Sequence, residues 1–466
     1  MTEQMTRTQA RGVLLPLALA QFICSFAGSN MNVMINDMSE DLNTTVQGIQ
    51  VAITIFLLVM AALMIPGGKL TDKYGRKRLF MLGLVIYGVG ALISAVAPGL
   101  PVLILGNSIL EGIGTALLIP PVYILTTLLF HDLGSRARAF GAISAMGGIG
   151  SAAGPLIGGL ITSAISWRAA FVFQALIIVA IVLLSRKIKD PLPADPTRKF
   201  DLLGAILSAG GLILIVLGIL ATDNSLMLMV VLIGSGVLVL VGFFLSVRAK
   251  ERTGQEPLLS TSLFRNKTSN LGLITQNAQW LMLLGFSFIV ASFLQVVRGY
   301  NAIETGIIFT AATVGLLASS LGAGPLSKRF AQRTLIMSGF ALTTVGMIFE
   351  VLFVRNTQTP WAFVPGLLLT GVGVGLMLTP SVNVVQSSFP ESKQGEISGL
   401  SRSVSNLGSS LGTAIAGTIL VAGIASTPGQ NYAIATFVLA GIGVVGLAAA
   451  AFLPRKITSP VEEPAR

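Results

Sequence analysis

The sequence places one carboxylate where carboxylates are rare. Glu111 falls ten residues after Pro101 inside the apolar stretch 101–123, about 15 Å along a helix. At that depth in hydrocarbon an ionisable group is expensive and faces a cavity or a partner. Two chemistries fit it. It is a carboxyl that exchanges a proton or meets a cationic substrate, or one kept neutral by hydrogen bonds to a neighbouring helix. Asn107 lies four residues earlier and shares its helix face. Asp37, with Glu40 and Asp41 nearby, is a second candidate for handling protons, against the plainer reading of a solvated loop acid. Arg402 sits about two turns inside the stretch 397–424. It either snorkels to the surface or stabilises one conformational state through an acid partner. Glu350, with Arg355 close behind, reads as an interfacial ion pair.

Amides recur within several of the apolar stretches: Asn30, Asn32 and Asn36, then Gln276, Asn277 and Gln279 beside Trp280, then Asn383, Gln386 and Asn406. Amides mixed with Met and aromatic side chains suit a bulky amphipathic ligand. Each amide also has an ordinary use, bonding between helices. Other chemistry is poorly supplied. One histidine, His131, and one cysteine, Cys24, give neither a multi-histidine metal site nor an internal disulfide. Gly68-Lys69 is followed by Leu70 and lacks the upstream glycine of a phosphate-binding loop. No metal, no cofactor and no enzymatic activity are expected.

The elements that must position these residues are membrane helices. The chain has 466 residues, 53% hydrophobic and 11% charged, against about 25% charged in soluble domains. Apolar runs long enough to cross a bilayer recur from end to end. Fourteen are expected, at roughly 13–36, 47–68, 79–97, 101–123, 139–164, 169–185, 202–221, 226–246, 271–296, 302–324, 333–354, 361–385, 397–424 and 431–453. The first is too long and too polar at its end for a signal peptide, so it is read as a retained span. With both termini in the cytoplasm, all but four of the 30 Lys and Arg fall on that side; the four are Arg168, Arg298, Arg355 and Arg402. The net charge of +11 is therefore a positive-inside signal, and nucleic acid is not an expected partner. The fold class is an all-α polytopic protein of a plasma membrane.

A repeat sets the architecture. Gly141, Gly150, Gly154 and Gly159, with Pro155 and Gly158, punctuate a span made of small residues; Gly399, Gly408, Gly412 and Gly417 repeat the spacing 258 residues later. Small residues bring helix backbones together in lipid, so both spans must face other helices. The segment 67–80 returns more weakly after the tenth span at an offset of 256. Span 2 thus maps on span 10 and span 5 on span 13. An even shift preserves orientation, which makes a parallel repeat about an axis along the membrane normal. The expected units are 1–190, a six-helix half; 191–270, two inserted helices with their linkers; and 271–466, a second six-helix half. Such halves favour alternating access to a site between them. The loop residues Gly68, Asp72, Gly75 and Arg76 form an anchor of the positive-inside kind, or a latch in which Asp72 meets a cation or helix N-terminus across the halves. Arg136 and Arg138 are the nearest cations to help.

These motifs resemble the major facilitator superfamily. Gly68-Lys-Leu-Thr-Asp72-Lys-Tyr-Gly75-Arg76-Lys-Arg78 resembles its loop pattern GxLaDrxGrkr, and Gly141-x8-Gly150-x3-Gly154-Pro155-x2-Gly158-Gly159 matches each fixed position of its antiporter motif. Fourteen spans, Trp167-Arg168, the Phe200-Asp201-Leu-Leu-Gly204 start of span 7 and the Pro257-Leu-Leu linker look like its fourteen-span drug:proton antiporters. The resemblance implies proton-driven efflux of amphipathic compounds by a protein expected to be a monomer. Spans 1, 4 and 9 correspond to cavity-lining helices of that fold, which makes Asn30, Asn32, Asn107, Glu111, Gln276, Asn277 and Trp280 the expected lining of a substrate cavity. An uncoupled or differently coupled carrier of a metabolite or lipid is the alternative. Two departures keep it open. That family usually has an Asp in span 1, where Ala27 stands, and an Arg-x-x-Gln-Gly in span 4, where Ser108-Ile-Leu-Glu111-Gly112 stands.

Overall fold

Long apolar runs closed by polar caps fold into membrane-length helices in the computed structural model. It describes residues 7–130, 133–186, 188, 190, 194–195, 197, 199–221, 225–354, 359–389, 394–421 and 428–455. The first half holds α1 (Arg7–Asn30), α2 (Val46–Tyr74), α3 (Arg76–Ala95), α4 (Leu100–Leu129), α5 (Leu133–Ala164) and α6 (Trp167–Ser185). Then come α7 (Leu202–Leu220) and α8 (Leu226–Arg252). The rest are α9 (Lys267–Val297), α10 (Ala302–Arg329), α11 (Gln332–Val354), α12 (Phe363–Gln386), α13 (Gln394–Val421) and α14 (Pro428–Ala451).

The caps explain several starts. Thr45, Ser166, Asp201, Asn266 and Asn301 each accept a hydrogen bond from a backbone N–H in the first turn of the helix that follows, as good N-cap residues do. Thirteen of these helices among the described residues are long and apolar enough to cross a membrane. The fourteenth, α13, has 28 residues but is interrupted by Ser, Asn and Arg402; it is held by neighbours on two sides.

The pairings within the two halves repeat one another. α1 packs on α5 and α6, α2 and α3 on α4, and α3 on α6; likewise α9 packs on α13 and α14, α10 and α11 on α12, and α11 on α14. Two seams join the halves, α2 against α13 and α5 against α10. The inserted pair α7 and α8 packs together, and α7 also lies against α2 and α13, beside the first seam. α8 turns Met227, Leu238 and Leu245 outward, a lipid-facing surface.

The structure differs from the sequence reading at the basic ends. The expected loop after span 2 is helical to Tyr74 and again from Arg76. The break is Gly75, at φ +95°, a conformation that suits glycine. Lys and Arg are good helix formers, so the helix runs past the hydrocarbon edge.

Candidate functional site

A cavity lies between the halves, with ≈ 1220 Å³ of unfilled space counted together with its opening to solvent. α1, α2, α4 and α5 wall it on one side and α9, α10, α12 and α13 on the other. Of the expected lining, Asn32 and Trp280 face it, as do Asn406 and Arg402. Asn30, Asn107, Glu111, Gln276 and Asn277 are not part of the wall. Asn30 is buried against α5, where a Cβ on Gly158 would stand 3.0 Å from its own Cβ. Asn277 Nδ2 donates to the Val404 carbonyl at 3.0 Å, and Ser401 Oγ donates to Gln276 Oε1 at 2.8 Å. Those two amides bond α9 to α13.

Glu111 stands behind the wall, fully buried. It ends a π-helical stretch, Ile104–Glu111, a winding that often marks functional sites. Asn107 Nδ2 donates to its Oε2 at 3.3 Å, and Tyr87 is its other polar neighbour. A Cβ on Gly90 of α3 would meet the Glu111 Cγ at 3.0 Å, so the missing side chain there is what admits the carboxyl. No cation faces it among the described residues. Cys24, which lines the cavity, contacts Thr115 one turn beyond Glu111 at 3.8 Å. Cys24 and Thr115 thus stand between this stretch of α4 and the cavity.

The second half carries a counterpart that the sequence hides. Glu350 is not an interfacial acid: it is fully buried on α11, and Tyr432 donates to its Oε1 at 3.1 Å. A Cβ on Gly366 of α12 would lie 2.6 Å from the Glu350 Cβ. Arg355 lies outside the described residues.

Arg402 reaches across the cavity to the other half. It donates to the Tyr123 hydroxyl, and its guanidinium lies 4.7 Å from the centre of the Tyr123 ring. The same hydroxyl donates to Gln21 Oε1 at 3.1 Å, and Gln21 Nε2 donates to Ser25 Oγ at 3.1 Å. An acid partner is one of the two readings of Arg402, beside snorkelling; the side chain that it meets is a tyrosine. Tyr123 sits near a helix end, where tyrosine reads as an interfacial anchor, and it gave no other signal.

The glycines seat helices reciprocally. A Cβ on Gly150 would fall on the Phe22 carbonyl of α1, and one on Gly154 on Ser29. In the repeat, Gly408 and Gly412 abut the carbonyls of Asn277 and Leu281 on α9. Gly159 then meets the Ala302 carbonyl of α10, while Gly417 meets Gln50 of α2. Pro155 presents its carbonyl to Gly306, whose added Cβ would come within 2.5 Å. The side-chain positions Asp72, Arg136, Arg138 and Gly141 lie outside the described residues, so the expected latch has no described geometry.

Other ties close the halves. Lys69 on α2 pairs with Glu396 on α13 at 2.8 Å. At the opposite end Gln295 donates to the Asn32 carbonyl at 2.7 Å and accepts from the Asn36 amide at 3.1 Å. Asp190 accepts from the Arg76 and Lys77 amides at 2.6 and 3.2 Å, capping α3 next to Gly75. None of Glu396, Gln295 or Asp190 was singled out from sequence, because each works through a partner remote in the chain. Asp37 is exposed; partial burial, with Glu40 beside it, pushes its carboxyl above the usual value despite an opposing backbone hydrogen bond. Asp41 instead accepts from Arg168 and, at 3.0 Å, from Trp167 Nε1. This gives the Trp167-Arg168 pair a role in tying the chain between α1 and α2 to α6.

The profile of the Major Facilitator Superfamily matches residues 17–413 and 273–466. The chain belongs to the Major Facilitator Superfamily. Among relatives of this superfamily member, a puromycin resistance protein of Streptomyces alboniger is 28% identical over 87% of this chain and 81% of its own. The multidrug efflux pump LfrA of Mycolicibacterium smegmatis is 27% identical over 90% and 83%. A riboflavin transporter of Clostridioides difficile is 25% identical over 86% of both. In fold, the superfamily member is similar to a crystal structure of the peptide transporter POT in complex with sulfate. That match has a TM-score of 0.70 at 16% identity and covers 98% of each chain.

Proposed function

We propose that this multi-pass membrane protein is a secondary active exporter of amphipathic, drug-like compounds, working by alternating access and driven by protons. The observation that carries the reading is a cavity walled by two repeated halves that meet along two seams, one of glycine against backbone and one polar. Such surfaces suit rocking of one half on the other. Relatives named for puromycin resistance and multidrug efflux support the substrate class. The protein binds and moves its substrate and performs no covalent step on it. It works as a monomer in the cell membrane with both termini in the cytoplasm, an orientation supported by the basic residues at one end of the helices.

Glu111 is the proposed proton carrier. Its neutral partners, its burial and its place behind the wall support coupling rather than direct substrate contact. The test is uptake of a fluorescent amphipathic compound into inside-out vesicles, with and without an imposed pH gradient. Gradient-driven uptake is expected in the native chain and should fall roughly tenfold or more in Glu111→Gln, while gradient-free counterflow persists. Undiminished gradient-driven uptake in that variant would remove Glu111 from the mechanism. The second reading, an uncoupled or differently coupled carrier of a metabolite or lipid, is supported by Ala27 and Ser108 and by the riboflavin transporter among the relatives. It requires counterflow of a neutral metabolite that no pH gradient alters.

A further inference from the structure

The charge inside the cavity has one sign. Among its described lining residues Arg402 is the single charged side chain, and none is acidic. The two deep acids that could have balanced it are elsewhere: Glu111 is buried against α3 and Glu350 against α12. Position 27, also buried, is an alanine. Arg402 is half-buried, and its partner is the neutral Tyr123, which offers a hydroxyl oxygen and a ring face.

A guanidinium removed from water without a counter-anion is poorly compensated. A tyrosine face recovers part of the loss, but a neutral hydroxyl uses one of the five guanidinium N–H groups. The remaining donors are oriented for a fork that matches a carboxylate. The helix that carries Arg402 extends the same chemistry. Ser405, Asn406 and Ser409 follow at spacings of three, four and seven and line the cavity with it, forming one polar face of α13. Phe56, Met60, Phe286 and Phe309 line the same cavity and supply apolar surface for a ring system.

We infer that the cavity is built for amphipathic anions: a carboxylate or phenolate of the substrate takes the Arg402 guanidinium while its rings lie on the apolar surface. The inference rests on the transport reading of the same cavity and narrows its substrate class. The anion takes N–H groups that the Tyr123 hydroxyl leaves open, so the contact from α13 to α4 stays beside it.

Three probes of equal size test this with the purified full chain: anthracene-9-carboxylate, 9-(hydroxymethyl)anthracene and 9-(aminomethyl)anthracene. Equilibrium dialysis, read by anthracene fluorescence, gives their affinities. The carboxylate should bind about tenfold or more tighter than the amine. Arg402→Gln should weaken the carboxylate about tenfold or more and leave the alcohol within about twofold, which also reports that the variant is folded. Tyr123→Phe, which removes the hydroxyl and keeps Arg402, should leave carboxylate binding within about twofold; a loss as large as that in Arg402→Gln overturns the inference. Equal or tighter binding of the amine overturns the inference. So does a parallel loss of all three probes in Arg402→Gln, or no carboxylate binding by the native chain. The same probes in inside-out vesicles separate this inference from the exporter reading. Arg402-dependent binding without uptake leaves the anion site standing and removes export. Uptake of the amine with no carboxylate binding does the reverse.

Discussion

Glu111 and Glu350 show one arrangement built twice with its parts exchanged. In the first half the acid is on α4 and the glycine that admits it is Gly90 on α3; in the second the acid is on α11 and the glycine, Gly366, is on α12. Each carboxyl has a tyrosine beside it, Tyr87 or Tyr432. Glu350→Ala leaves a void and a buried hydroxyl without its acceptor. It should destabilise the purified protein by about 2–4 kcal/mol, whereas Glu350→Gln, which keeps volume and acceptor, should lose under about 1.5 kcal/mol. Thermal melts of the two variants in one detergent decide it; equal losses would mean that the Tyr432 contact contributes nothing. Asp201 makes a pH prediction. Burial opposes its charge, but Lys250 and the amides of Gly204 and Leu258 outweigh burial and hold its carboxyl below the ordinary 3.8. An acid depressed in the folded state stabilises above its unfolded value and ceases to do so as pH falls through its folded value. Acidification below about 4 should therefore loosen the native α7–α8 pair, seen as protease sensitivity of the linker after α8, and Asp201→Asn should be loose already at neutral pH. The burial of Glu111 was legible in the sequence because a carboxylate well inside an apolar stretch must turn from lipid toward neighbouring helices. The partner of Arg402 was not, because Tyr123 lies 279 residues away and no local spacing encodes a pairing between halves.

At the scale of elements, the glycine spacing was legible and its direction was not. A constant offset announced two equivalent helices, α5 and α13, but only the fold shows that each seats a helix of its own half and then one of the other. Adding bulk at those seats should separate two effects. Gly150→Val and Gly412→Val press on α1 and α9 within a half, and overpacking of this kind costs about 1–3 kcal/mol; both should lower the melting temperature. Gly159→Val presses on α10 across the seam and should reduce transport while lowering the melting temperature less. Melting curves alongside vesicle uptake for the three variants check this, and the same ratio of effects in all three would erase the distinction. The inserted helices were legible as spans, yet their placement was not: an apolar helix announces that it meets lipid, not which seam it adjoins. Asp201 explains the motifs that bracket them. Its carboxylate joins the start of α7, Lys250 of α8 and the amide of Leu258 in the Pro257-Leu-Leu linker, so motifs far apart in sequence are parts of one clasp.

Across the whole molecule the two seams differ in chemistry. The α2–α13 seam is polar along its length: Lys69 meets Glu396, Ser403 donates to the Ala61 carbonyl at 2.5 Å, Ser410 to that of Thr54 at 3.0 Å, and Gln50 to those of Thr413 and Ala414 at 3.4 Å. The α5–α10 seam is glycine against backbone, with the Ile303 amide donating to Ser163 Oγ at 3.1 Å near one end. The Lys69–Glu396 pair is partly exposed, so about 1 kcal/mol at most separates its presence from its absence. That is still enough to shift a balanced pair of states about fivefold. Lys69→Glu should favour the state in which this end is apart, and adding Glu396→Lys should restore the native balance. Labelling rates of a cysteine placed at the cavity-facing Ser405 measure both; failure of the exchanged pair to restore the native rate would remove the contact from gating. The polar seam also bears on how the protein is made. α13 is too rich in serine, and too burdened by Arg402, to partition into lipid unaided. The carbonyls and amide side chains that receive it belong to α2 and α9, which leave the ribosome earlier. Biogenesis is thereby ordered: α13 enters the bilayer late, into a slot already assembled, and a chain lacking α2 would leave α13 stranded at the insertion machinery.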